Sequence, residues 1–234
     1  MDPDLPGPLL RRRGRDHLRR GVAIHVKPIA QATILTIVAG MADAVGFITM
    51  GGVFAANMTG NTVLAGIAVA RGHHVDAWHH FTPLLAFFIG AMMARWLLRL
   101  LKAPTIGILI EAALIAGVGF VNIGTEPTVL VVAFAMGLQA SSITSFGGSA
   151  VSTVVVTSTL ARTADTAVDR LWPGAGKTTA SSTNAELLAL TWGGYVVGAI
   201  AGALLVGAMT HPLIVPAALL LLVLLLKDEG QTTG

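Results

Sequence analysis

Cysteine is absent from the 234 residues, which removes disulfides, thiolate metal sites and cysteine nucleophiles from consideration. Charge is scarce as well. Asp, Glu, Lys and Arg make up 12% of the chain against 54% hydrophobic residues, and the mean hydropathy is +0.76. That balance excludes an ordinary soluble domain and fits a polytopic membrane protein. A phosphate loop is missing too: PGAGKTT (residues 173–179) ends like one, but Leu171 stands where the first glycine belongs, and no strand precedes it. An intramembrane hydrolase would need a serine beside a membrane-depth histidine, and His211 at a helix edge is a poor partner. No enzyme activity, cofactor or metal is expected. His73, His74, His79 and His80, around Val75-Asp76-Ala77-Trp78, read as a solvated loop at 71–80 rather than a metal site.

What is present is a basic leader followed by apolar runs. Seven of the fifteen Lys and Arg residues lie in LLRRRGRDHLRRGVAIHVK, residues 9–27. With a sequence pI near 9.8 this suits a cytoplasmic anchor on anionic headgroups better than a nucleic-acid surface. The run from Ile29 continues for a membrane width, so no signal cleavage is expected. The chain divides into a leader (1–28), one membrane domain (29–226) and a short polar tail (227–234).

Eight apolar stretches are candidates for crossing: 29–50, 53–70, 81–101, 104–123, 127–146, 149–164, 184–208 and 211–226. The second carries Asn57, Thr59, Gly60, Asn61 and Thr62; the sixth carries Ser149, Ser152, Thr153, Thr157, Ser158 and Thr159. If all eight cross with the N-terminus inside, twelve basic residues lie inside and three outside. If those two enter and leave on one side, the division is fourteen to one. The positive-inside rule favours six spans with two re-entrant segments and both termini cytoplasmic.

The two halves, 29–123 and 127–226, resemble each other in order. Asp43-Ala44 matches Gln139-Ala140, Thr59-Gly60-Asn61 matches Thr157-Ser158-Thr159, and Phe88-Ile89-Gly90-Ala91 matches Val196-Val197-Gly198-Ala199. Three crossings in each half put the halves in opposite senses across the membrane, the inverted-repeat layout in which broken segments meet at a polar midplane site. Asp43, fourteen residues into the first span, and Glu111, seven into the fourth, are carboxyls at membrane depth. With Asn57, Thr59, Gly60, Asn61, Thr62, Gln139, Thr157 and Ser158 they are the candidate pathway for a solute or ion. Gly194, Gly198 and Gly202, with Gly90 in the matching span, read as close-packing positions. Arg95, Arg99 and Lys102 read as interfacial anchors.

GMADAVGFITMGGVFAANMTGNTVLAGIA (residues 40–68) resembles the signature of the YoaK-like family of bacterial integral membrane proteins, a group named as a domain of unknown function. Gly137-Leu138-Gln139-Ala140 and Val156-Thr157-Ser158-Thr159-Leu160 look like its weaker second motif, with Ser158 where glycine is more usual. The resemblance implies a multi-pass protein of the bacterial inner membrane and brings no substrate.

The sequence is therefore read as an all-α membrane protein of about six transmembrane helices plus two re-entrant or broken segments, in two inverted repeats. A small-solute or ion transporter or channel is the expected function, and a scaffold whose polar residues only stitch helices together is the alternative. The expected partners are the lipid bilayer, the solute and, in a homo-oligomer, further copies of the chain. Nucleic acid is not among them.

Overall fold

The computed structural model describes residues 30–102, 104–143, 164, 168 and 182–225. Seven helices have their bounds among the described residues: α1 Ala30–Thr49, α2 Met58–Ala70, α3 His74–Leu101, α4 Pro104–Phe120, α5 Thr125–Ile143, α6 Ser182–Ala208 and α7 Ile214–Leu225. No strand occurs among the described residues. Ala30–Thr49, His74–Leu101 and Leu190–Ala208 are each long and apolar enough to cross a bilayer. Their outward positions carry large apolar side chains such as Phe88, Ile89, Met92, Ile200 and Leu204, as lipid contact requires.

Two expected boundaries move. The stretch 53–70 is not one element: residues 53–57 are non-helical, and α2 starts at Met58 behind Asn57, whose side-chain oxygen accepts from Gly60 N–H at 3.1 Å. The outer loop expected at 71–80 is a correction. It shrinks to residues 71–73, because α3 begins at His74 and takes His74, His79 and His80 into its first two turns. Asp76 lies in that first turn, where a negative charge favours a helix start.

Side-chain contacts give the helix directions. A Cβ at Gly51, just past the end of α1, would lie 2.6 Å from His79 Nε2 in the second turn of α3, so α1 ends where α3 begins. His79 also meets Glu126 of the first turn of α5 at 2.6 Å, which makes α3 and α5 parallel. Along α6, Gly194 faces Thr33 and Gly202 faces Met41, so α6 runs with α1. The Phe120 ring at the end of α4 packs near His211 just before α7, 6.1 Å between centroids.

The parallel pairs are joined backbone to backbone. On α3 and α5, a Cβ at Gly90 would collide with the carbonyl of Phe134, and one at Gly137 with the carbonyl of Phe87 and the nitrogen of Ala91. On α1 and α6, a Cβ at Gly198 would collide with the carbonyl of Ile37, and one at Gly40 with the carbonyl of Tyr195 and the nitrogen of Ala199. These are corresponding contacts. Gly198, Tyr195 and Ala199 each lie 108 positions after Gly90, Phe87 and Ala91, while Phe134 and Gly137 each lie 97 after Ile37 and Gly40. Without a hydrophobic force between helices in lipid, such close approach is the main source of their attraction. Between and around the pairs, Leu35, Val38, Val45, Ile108, Ile115, Val132, Met136 and Leu220 form the buried core.

Candidate functional site

Asp43 lies six residues before the end of α1, about 9 Å below its last turn. Past that turn the chain reverses at Gly51 and Gly52, with φ of 70° and 77°, a region where side chains larger than glycine are strained. Residues 53–57 then run back down until the N–H groups of Ala56 and Asn57 reach Asp43, donating to Oδ1 at 2.6 and 3.1 Å. Its other oxygen, Oδ2, accepts from the Tyr195 hydroxyl of α6 at 2.5 Å. The absence of a side chain at Gly40 lets the Tyr195 backbone close on α1, and the phenol spans the remaining turn to the acid. Asp43 is 2% exposed. Three donors from two other segments converge on one carboxyl, so it ties α1, the descending segment and α6 together.

Asn61 does the corresponding work on the other side of that segment. Its carboxamide accepts from Phe54 N–H at 2.9 Å and donates to Phe54 C=O at 2.7 Å, standing in for a neighbouring peptide group where helix and sheet partners are both lacking. Nδ2 also lies 3.8 Å from Met58 Sδ. The residue is 0% exposed. Phe54 in turn stacks on Phe47 of α1, with centroids 4.9 Å apart, and a Cβ at Gly60 would sit 2.8 Å from the Phe54 ring. The string FAANMTGN is thus a local device: Asn57 caps α2, Gly60 leaves room for the ring, and Asn61 holds the non-helical backbone.

Thr59 and Thr62 stand apart from this cluster. Both are exposed, and Thr62 Oγ1 donates to Met58 C=O within its own helix at 2.9 Å. Gln139 on α5 is buried, 2% exposed, and its Nε2 donates to Leu35 C=O of α1 at 3.1 Å. Its Oε1 has no partner. Glu111 on α4 is 0% exposed, and neither of its carboxyl oxygens has one among the described residues. Thr157 and Ser158 lie outside the described residues. Sequence reasoning missed Tyr195. A signal existed, since it is the single tyrosine of the chain and falls within a span, but its partner becomes visible only when α6 docks on α1.

Long apolar helices, lipid-compatible outer faces and polar groups turned inward on one another define an α-helical integral membrane protein. The chain belongs to the family described as "Protein of unknown function (DUF1275)", matched over residues 31–226. It is similar to the "UPF0700 transmembrane protein YoaK" of Bacillus subtilis (strain 168), 29% identical over 140 residues, which cover 55% of this chain and 62% of that protein. The match therefore spans less than two thirds of that relative. No solved structure matches the chain.

Proposed function

We propose that the protein is a transporter or channel for a small solute or ion in the bacterial inner membrane, built from two inverted repeats. One observation carries this reading: the corresponding glycine contacts of α1 with α6 and of α3 with α5. The first helix of each half packs on the middle span of the other, and the first pair runs opposite to the second. A rotation exchanging the pairs must reverse their direction, so its axis lies in the membrane plane. That symmetry generates alternating access in many carriers, with a broken segment from each half near the midplane. In the first half, residues 50–57 enter from the end of α1 and α2 leaves on the same side, a re-entrant path with six crossings in all. Basic residues then lie fourteen to one on the cytoplasmic side, with both termini there.

Uptake into proteoliposomes of rubidium, sodium, chloride, a monocarboxylate, an amino acid and a hexose tests the activity. At least one should accumulate above protein-free vesicles, and none doing so would sink the reading. Topology is tested by cysteines placed at His74 and Thr178. An impermeant thiol reagent should reach them from opposite faces, and reaction from one face would mean eight crossings.

A second reading, a scaffold that transports nothing, draws on the closure of the Asp43 cluster. Two backbone N–H groups and the Tyr195 hydroxyl bind its two oxygens, as a purely structural stitch would. On this reading the uptake panel is silent, and Asp43→Asn changes stability alone.

A further inference from the structure

We propose that Glu111 is a proton-binding site, at which its carboxylate takes a proton from the aqueous phase to form the acid and returns it when the bundle opens to water. Its purpose rests on the transport reading, since a site of this kind couples solute movement to protons.

The position is built into the fold. Glu111 lies seven residues past Pro104, about 10 Å along α4. It shares that helix's most buried face with Ile108, Ala112 and Ile115, which are 0%, 3% and 0% exposed. The helix packs on α3, α5 and α7, whose buried positions include Val129, Val132, Met136, Ala217 and Leu220. Among the described residues of these helices, no charged group offsets the carboxyl. α4 holds no other titratable residue and α7 none. On α5 the acid Glu126 is exposed and bound to His79. On α3, Arg95 and Arg99 are exposed, Asp76 pairs with His73, and His74 and His80 lie with them in the first two turns.

The chemistry of the ligand follows from what surrounds the two oxygens. A sodium, magnesium or calcium ion needs several oxygen ligands at once, and no group of three or more His, Asp or Glu side chains suited to a metal ion occurs among the described residues. A proton needs one lone pair. A proton can satisfy Glu111 where it stands, and bound there it removes the cost of a lone charge in an apolar interior. Asp43 offers the contrast, because its oxygens are already occupied by three donors.

Infrared difference spectra of the reconstituted protein test the site. The wild type should give a carbonyl band of a protonated carboxylic acid that shifts down on transfer to D2O. The band should be lost in Glu111→Gln and kept in Thr62→Ala. No acid band in the wild type, a band that survives in Glu111→Gln, or one that never shifts in D2O would overturn the proposal; the wild-type spectra alone decide it if the variant misfolds. The two readings fail separately. Silent uptake with an exchanging Glu111 band removes transport and leaves the proton site. Uptake of a panel solute without the band removes the proton site and leaves transport.

Discussion

Asp43 and Glu111 are both withdrawn from solvent, 2% and 0% exposed, yet they are held in opposite ways. Asp43 meets two backbone N–H groups and a phenol, drawn from a non-helical segment and a helix 152 residues away. Glu111 meets no donor among the described residues. The carboxyl is the same; the difference is the supply of freed donors. Where the chain breaks its helix at 50–57, backbone N–H groups lose their helical acceptors and an acid repays its own burial by accepting from them. Inside the unbroken α4 every neighbouring N–H can be used by the helix, and an acid gains nothing from being there. Burial alone therefore does not distinguish the two acids; the donors that each one meets do.

The largest expected effect breaks this comparison directly. Asp43→Val strands three donors and should lower unfolding stability in detergent by about 3–5 kcal/mol. Glu111→Met fills similar volume without a polar group and should raise it by about 1–3 kcal/mol. Thermal melts that move in the same direction for both would erase the distinction. The glycine seams provide the next test. Gly198→Leu and Gly90→Leu each force a corresponding helix pair apart and should each cost about 3 kcal/mol or somewhat less. Strongly unequal losses would show that the two seams bear different loads. Asn61→Ala removes both bonds to Phe54 and should cost about 2–3 kcal/mol, read from the same melts. Tyr195→Phe keeps the ring and removes one donor from Asp43, for about 1–2 kcal/mol. Thr62→Ala, on the exposed face of α2, should stay within about 0.5 kcal/mol.

Membrane class, the long spans and the glycine faces were legible in the sequence because lipid imposes them residue by residue: a length of apolar chain, few charges, small side chains where backbones meet. The reversal at Gly51-Gly52 rests on a local property as well, since two adjacent glycines permit a conformation that other residues resist. The roles of the motif residues were harder to read. Asn57, Thr59, Asn61 and Thr62 looked alike as polar residues in an apolar run, and composition could not divide those that hold backbone from those that face outward. That division depends on 53–57 staying non-helical, which makes Phe54 N–H and C=O available to Asn61 and leaves Thr62 bonded within α2.

The sequence by itself determined that this chain enters a membrane, which stretches are long and apolar and which helix faces are smooth, because those properties depend on local composition and spacing. Tertiary structure alone decided that Tyr195 meets Asp43, that Asn61 latches Phe54 and that Glu111 finds no donor among the described residues. Each of these depends on which backbone groups are freed and which side chains arrive from distant helices. No local pattern carries that information, since the partners are chosen by packing across the bundle.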